Sequence, residues 1–571
     1  MIQVADLFKK AGIPVDTVVN GGEILVKLAT RVSDDVFDKY VDLAKSLGFR
    51  YSRQHGGWVG RIRDGVPVLG RYFKSYYYMP DVMPEPQVKK LGCYRVSRYK
   101  RASCEEYCDA RCASSSACVQ RCVERCNNEG WNAVVKVEEE VCLVSRVDGG
   151  WRVPRGLAKM YAEVGGWSTP VYADIPPPSD QHMLKLRDYQ REVFLNAAAQ
   201  IRDIGSATIQ MATGAGKSYM AGAIAKWLED HGYTVFVTAM QVDLVLQMLK
   251  FANEFGASPI GVTVQTLWSR VLRRGESLAE DVEDEEERKI AEAYSDEYSS
   301  APQSALGEAF RGEKVAVILD EVHHLPARTV KAVMLEAGGG WAIRVGLSAT
   351  PWRNDGKDLE IYAYCGSVVK PVISSSYLIQ RGYAVPVEIR LVKAPICRDA
   401  YSVDEVGASA YAKVRKAIVM CRERNRFIAE LAADAEKPFI VVTQLISHAD
   451  ELGEVMQSAG LNVEVVTGAV KGQQRAEIYR MLNSGEIDGI VATQLAEEGI
   501  DVPNLRTMII AMAGKSKTRT IQRVGRMVRP HPGKARAVVY ELVDKAPFFH
   551  QHLEERLAMY RTEPAWTIKS M

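Results

Sequence analysis

Long apolar runs are missing from this 571-residue chain. None approaches the roughly 18 residues of a membrane span, and the opening MIQVADLFKK lacks the layout of a signal peptide. Charge of one sign is scarce too. Lys and Arg number 73 against 71 Asp and Glu, a net of +2, so no global basic field marks the chain for a polyanion. Only the first 175 residues carry a modest cationic excess, a weak pointer to an anionic partner. No cluster of acids or histidines suggests a nuclease. These absences predict an intracellular protein with no membrane partner, whose function must be read from local motifs. The length predicts about three or four units, each large enough for its own core.

Cysteine is sparse except in one stretch, where Cys104, Cys108, Cys112, Cys118, Cys122 and Cys126 lie symmetrically about Ala113–Ala117. Cysteines four apart share a helix face. Two such helices folded back at the serines bring 112 opposite 118, 108 opposite 122, and 104 opposite 126. A ladder of disulfides is the favoured reading, since a hairpin with so little core gains from staples. A zinc or iron–sulfur site is the rival, although the four-residue step is unlike the C-x₂-C of metal knuckles. Free thiols are the third reading. Cytosolic disulfides are rare outside hyperthermophiles, so a ladder implies a hot-living source. Cys93 and Cys142 flank the hairpin as a further candidate pair.

Before the hairpin, helical Asp35–Leu47 alternates with strand-like Glu23–Leu28 and Gly57–Arg63, a small α/β pattern. Tyr51, Trp58, Phe73 and Tyr76–Tyr78 lie among Arg50, Arg53, Arg61, Arg63, Arg71 and Lys74. The preferred reading is an aromatic core with arginines on a solvated face. The alternative is a surface that stacks bases and grips phosphates. Asp174–Asp180, with three consecutive prolines, reads as a stiff linker.

Chemistry enters at Ala207–Tyr219, ATIQMATGAGKSY: a short apolar strand, a glycine-rich turn, then a helix. Thr213, Gly214, Ala215 and Gly216 form a loop whose N–H groups can face phosphates at the positive end of the helix. Lys217 supplies a cation to the phosphates and Ser218 a hydroxyl to Mg²⁺. Met211 stands where the usual pattern has its outer glycine. Upstream, Arg187 and Gln190 are candidate nucleotide contacts, since an amide can both donate to and accept from an adenine edge. The apolar run Val315–Leu319 ends in Asp320-Glu321-Val322-His323, acids at the carboxyl end of a buried strand, where α/β sheets bind ligands. Asp320 is the candidate Mg²⁺ holder and Glu321 the candidate base that activates water. His323, Ser348 and Thr350 are candidates for coupling that site to its surroundings.

Together these motifs resemble those of superfamily 2 helicases and translocases over about residues 184–545. LRDYQ, DEVHHLPA and GLSATPWRNDG look most like the XPB-type DNA helicases and UvsW-like phage enzymes. The resemblance implies ATP as cosubstrate and contacts from Gln247 and Thr266 to the phosphate backbone. Thr493 and the EGIDVP stretch resemble motif V, with Gly499 and Asp501 toward the nucleotide and Thr493 toward the strand. TIQRVGRMVR resembles motif VI, which assigns Gln522, Arg526 and Arg529 to catalysis. Arg526 and Arg529, three apart, can share one helix face. The XPB-type Arg-Glu-Asp triplet tied to strand opening is absent, and Tyr401–Leu431 looks like one or two helices rather than a thumb.

The expected architecture is α/β. Two tandem RecA-like parallel-sheet motor domains, 181–385 and 386–571, follow a small α/β domain at 1–180 that carries the Cys-rich helical hairpin at 93–142. The expected partners are DNA, single-stranded, duplex or forked, and a nuclease or repair protein. The expected setting is cytoplasmic, at the nucleoid if the source is prokaryotic. A motor that remodels branches without unwinding and an RNA-directed helicase are the alternatives. The acidic run Glu276–Glu287, within an insertion at 274–312, is read as a solvated face off the track.

Overall fold

The computed structural model describes residues 3–570 except 102, 113–115, 130–133, 273–302, 354, 402–407, 471, 494–501, 515, 545 and 547. The acidic run and the serine turn of the hairpin lie outside the described residues.

The N-terminal part is built from short antiparallel strands, as its alternating apolar and polar residues require. Val15–Asn20, Glu23–Leu28, Gly57–Arg63 and Arg50–Ser52 form one sheet in that spatial order. Ser145–Val147, Gly150–Pro154, Tyr76–Pro80 and Arg71–Phe73 form another. Helix Asp34–Ser46 turns Tyr40 and Ala44 into the core with Phe8, Phe49 and Trp151.

A two-stranded ribbon, Cys93–Arg101 with Val134–Cys142, leaves this body in unbroken register from Cys93↔Cys142 to Arg101↔Val134. It carries helices Cys104–Cys112 and Ser116–Glu129. Their sulfurs pair at disulfide distance as 104–126, 108–122 and 112–118, and Cys93 pairs with Cys142 at the ribbon's foot. The favoured ladder is the arrangement found. Among the described residues no group of His, Cys, Asp or Glu is placed to hold a metal ion, so the zinc and iron–sulfur alternatives find no donor set here. A fifth pair, Cys397–Cys421, was not anticipated, and Cys365 alone stays free and buried.

Two all-parallel sheets follow, the arrangement of tandem RecA-like domains. The first orders its strands as Ser206–Gln210, Ile343–Ser348, Val315–Asp320, Thr234–Ala239 and Ile260–Thr263. The second has seven strands: Val463–Val466, Gly489–Thr493, Phe439–Thr443, Thr507–Ile510, Ala537–Val543, Val387–Lys393 and Trp566–Ser570. Strands buried on both faces read as continuous apolar runs, which is why Val315–Leu319 and Phe439–Val442 stand out. Val387–Lys393 and Trp566–Ser570 do not, since Glu388, Arg390 and Lys569 interrupt them and pair with one another instead.

The proline run does not span a gap. Ala173 and Ile175 are buried in the first motor core, and Trp227 Nε1 donates to the Pro176 carbonyl at 3.0 Å. Glu563 reaches back to accept from the Ser376 N–H at 2.9 Å and its hydroxyl at 2.6 Å. Among the described residues no helix is long and apolar enough to cross a membrane.

Candidate functional site

The glycine-rich loop sits where strand Ser206–Gln210 hands over to helix Lys217–Glu229. Gly214 and Gly216 take φ of 82° and 87°, the left-handed region closed to most side chains. A Cβ at Gly216 would also stand 2.2 Å from Gln190 Nε2. Gln190 lies across the loop. Its Nε2 donates to the Ala215 carbonyl at 2.9 Å, and its Oε1 accepts from the Arg187 N–H at 2.8 Å. The Tyr189 hydroxyl joins at the same carbonyl, 3.1 Å away. In this structure Gln190 therefore holds the loop's shape, its amide bonded to the Ala215 carbonyl and its oxygen to the Arg187 N–H. Arg187 places its guanidinium over the Tyr383 ring, 4.5 Å from the centroid. Lys217 and Ser218 open the helix, half-buried and at its positive end.

Facing the loop, strand Val315–Asp320 delivers Asp320 into the interior, and the chain reverses at Glu321, a non-glycine at φ 51°. Glu321 Oε2 is the hub of the site. It accepts from the Ser348 hydroxyl at 3.1 Å and from Gln522 Nε2 at 3.0 Å, and His323 Nδ1 lies 3.3 Å away. Ser348 Oγ also accepts from the Thr350 N–H at 3.0 Å, and Gln522 reaches Thr350 Oγ1 at 3.3 Å. Burial works to raise the Glu321 carboxyl. The hydrogen bond from His323 and the Lys217 charge outweigh it and hold the group well below the usual carboxylate range. Asp320 goes the other way: burial, then the Glu321 charge, push it up to about 6. Burial and the charge of His323 also push His324 well below the ordinary imidazole range.

The donor set suits a hard divalent cation. Asp320 Oδ1 is buried without a hydrogen-bond partner among the described residues. An orphaned, buried carboxylate oxygen fits Mg²⁺, which takes few protein ligands and keeps its waters.

From the second motor domain, helix Lys517–Met527 closes over the loop. Gln522 and Arg526 are one turn apart on it, and Arg529 lies just beyond. A Cβ on Gly525 would come within 3.1 Å of Thr213, and one on Gly214 would lie 3.7 Å from Arg529 Cγ. The structure thus gathers Thr213, Gly214, Ala215, Gly216, Lys217, Ser218, Asp320, Glu321, His323, Ser348, Thr350, Gln522 and Arg529 at one cleft, with Arg526 one turn from Gln522 on the helix above it.

Other candidates stand apart. Gln247 is half-buried on helix Val242–Glu254. Thr266 lies in the short helix capped by Thr263, whose Oγ1 accepts from its N–H at 3.2 Å. Thr493 ends its strand, buried. Gly499 and Asp501 lie outside the described residues. The N-terminal aromatic cluster divides: Trp58 and Tyr77 are core, while Tyr51 and Phe73 are more than half exposed.

Sequence reasoning missed Tyr189 and Arg353. Arg353 donates from Nη1 to the His323 carbonyl at 3.0 Å and pairs with Asp355 at 2.9 Å. Nearby, Tyr94 at the foot of the disulfide ribbon hydrogen-bonds Glu360, which also pairs with Lys331 at 2.7 Å. Tyr189 was within reach, one residue before Gln190. Arg353 lies in the quoted GLSATPWRNDG stretch, but nothing in that stretch alone points it at the His323 carbonyl.

Two family descriptions match the chain: "Type III restriction enzyme, res subunit" over residues 183–353, and "Helicase conserved C-terminal domain" over residues 416–531. A protein named putative helicase 22, from Sulfolobus islandicus filamentous virus, is 26% identical over 439 residues, 75% of this chain and 76% of the relative. A "DNA 3'-5' translocase XPB2" of Sulfurisphaera tokodaii is 24% identical over 416 residues, covering 66% of this chain and 85% of the relative. A "Putative DNA 3'-5' helicase Rad25" of Halobacterium salinarum is 23% identical over 250 residues, 43% of this chain but 39% of the relative. The chain therefore spans about two fifths of that last protein's length.

Proposed function

Because the chain belongs to the superfamily 2 helicases of the XPB type, we propose that it hydrolyses ATP to move along or remodel DNA, with 3′→5′ polarity. The observation that carries this reading is the Glu321 hub, where one carboxylate accepts hydrogen bonds from both motor domains. Lys217 and the loop N–H groups would hold the β- and γ-phosphates. Bound Mg²⁺, held by Ser218 and Asp320, would neutralise charge on those phosphates. Glu321, kept ionised by its neighbours, would take a proton from the attacking water. Arg526 and Arg529 would stabilise charge on the transferring phosphoryl from the opposite domain. Asp501 and Gly499 would complete the nucleotide site. Gln522 would report the state of the γ-phosphate, because it shares Glu321 and Thr350 across the cleft. Gln247, Thr266 and Thr493 would touch the strand's backbone, so closure and opening of the cleft become steps.

The missing Arg-Glu-Asp triplet favours a second reading, translocation or branch remodelling without strand separation. The relative named a translocase supports it. A nuclease or repair partner would use the product in either case.

The test is ATP turnover by the full chain alone, then with single-stranded, duplex and forked DNA and with RNA. Stimulation by DNA supports the reading, and stimulation by RNA alone overturns its DNA half. Glu321→Gln should bind ATP and lose about 10²–10⁴-fold in turnover. Retained hydrolysis would overturn its assignment as base.

A further inference from the structure

A groove between the N-terminal sheet and the first motor domain plays no part in the ATP site. Its walls include Arg50, Tyr51, Arg61, Arg71, Tyr172 and Trp341. At about 1070 Å³ it lies at the upper end of the roughly 300–1,000 Å³ of small-molecule pockets and has room for a short polymer segment. Lys45 and Arg63 also line it, against a single acid, Glu23. Arg63 is committed to Asp203 at 2.6 Å. Arg50, Arg61 and Arg71 are exposed and have no carboxylate partner among the described residues. The charge selects an anion.

The rings select which anion. Tyr51 is 57% exposed and is steadied edge-on by Trp58, centroids 5.7 Å apart. Trp341 is 41% exposed and is held on two sides. Tyr172 stacks on it at 6.4 Å and hydrogen-bonds its carbonyl, and Phe73 meets it edge-on at 5.7 Å. Large aromatic surfaces beside guanidinium groups that have no carboxylate partner, Arg71 lying over the Tyr78 ring at 5.7 Å, form a platform for bases whose phosphates follow a cationic track. Bases paired inside a duplex are already stacked and cannot offer their faces to such rings. Carboxylates of an acidic peptide would satisfy the arginines but leave the rings unused.

The groove's place in the fold separates it from the motor's track. Trp341 precedes strand Ile343–Ser348, and Ser348 at the far end touches Glu321. Six residues at ~3.3 Å each put the groove roughly 17–20 Å behind the hydrolysis site, at the amino ends of the parallel strands.

We infer that this groove binds an unpaired stretch of nucleic acid, with Arg50, Arg61 and Arg71 on its phosphates and Tyr51 and Trp341 against its bases. The inference deepens the proposed function, on which it rests for its setting, by naming the form of nucleic acid that the N-terminal domain takes.

The test uses the full chain without nucleotide and fluorescence anisotropy over a range of salt. The probes are a short oligo(dT), an oligo(rU) of equal length and a blunt duplex. The double variant Arg61→Ala/Arg71→Ala should weaken oligo(dT) binding about tenfold or more and lower the salt slope by roughly 1.4, two contacts at ~0.7 each. Tyr51→Ala should weaken it about 5- to 150-fold, and Tyr51→Phe should restore it. A loss seen with oligo(rU) alone supports the groove and names RNA as its occupant. Unchanged single-strand affinity and salt slope in the variants would overturn the inference, as would a loss on blunt duplex equal to that on oligo(dT). Wild-type turnover with DNA reads the motor separately: stimulated turnover with unaltered variant binding sinks the groove alone. Lost variant binding with no stimulation sinks the motor reading alone.

Discussion

Two seams run through this molecule, and they are built on opposite terms. Between the motor domains the contact beside the glycine-rich loop is polar and centred on one carboxylate: Gln522 with Glu321 and Thr350, and Gly525 against Thr213, apart from the Glu563–Ser376 contact at the far side. Between the N-terminal body and the first motor sheet, the buried centre of the contact is two fully buried arginines bonded mainly to backbone, with the Arg63–Asp203 pair and the Tyr94–Glu360 hydrogen bond beside it. Arg155 donates to the carbonyls of Ala342 at 2.6 Å, Lys74 at 3.2 Å and Gly205 at 3.3 Å, and stacks 4.0 Å from the centre of the Tyr172 ring. Arg344 donates to the Ser75 hydroxyl and to the Gly340 carbonyl at 3.2 Å. Neither has a carboxylate partner among the hydrogen bonds and ion pairs of the described residues. Carbonyls are permanent acceptors, so these bonds to the backbone do not depend on nucleotide. The first seam can open at the loss of a few hydrogen bonds, each worth about 0.5–1.5 kcal/mol net. The second would strand several buried acceptors at about 1–3 kcal/mol each. One is a joint and the other a weld.

The contrast can be broken in several places. Arg526→Ala should give the largest effect, a fall of about 10³–10⁵ in kcat with ATP still bound. Turnover and nucleotide-binding assays on one preparation check it, and a variant within tenfold of wild type would remove Arg526 from the chemistry. Arg155→Met comes next. It should cost about 1–3 kcal/mol in urea unfolding, because the buried Ala342 carbonyl loses its donor while Gly205 keeps the Arg344 N–H, and turnover per folded molecule is retained. A loss below about 0.5 kcal/mol would show that the weld is no weld. Gln522→Ala should cut kcat by roughly tenfold, the worth of one hydrogen bond to a charged group, and leave the unfolding curve where it was. A large stability loss there would mean that the joint is structural after all. The smallest effect on the whole chain should come from reductant. The three rungs span 6, 14 and 22 residues and hold a hairpin whose core is little more than its own cysteines with Tyr107, Val119 and Val123. Hydrogen exchange should collapse over 104–129 while the motor sheets keep their protection.

The sequence disclosed one seam and hid the other for a physical reason. Motor residues announce themselves because apolar strands end abruptly in glycine, lysine or paired acids, as at Met211–Lys217 and Leu319–Glu321. The disulfide ladder was legible because a four-residue step is a helix period. Arg344 sits within an ordinary-looking strand and Arg155 in the short helical turn just after one, and their partners are mostly carbonyls, which every residue has. Cys397 and Cys421 lie 24 residues apart across helix Ala408–Val419, with no period to join them. Trp341 becomes part of a groove only when residues 50–71 are folded beside it. Contacts between backbone and side chain across long sequence separations leave no pattern to read.

Each motor sheet also holds one strand that is synthesised long before its neighbours. Ser206–Gln210 pairs with Ile343–Ser348, and Val387–Lys393 lies between Ala537–Val543 and Trp566–Ser570. At ribosomal speeds of about 5–20 residues per second, a partner some 140 residues downstream arrives roughly 7–28 s later. Through that interval an apolar strand waits with its edges unpaired, open to the wrong partner. Glu388, Arg390 and the later Lys569 place charges on the second of these strands and its neighbour, and charge on a waiting edge discourages another chain from adding to it. The first, SATIQ, has no such guard, so its safety during synthesis depends on how soon helix Asp188–Ile204, made just before it, folds down and covers it.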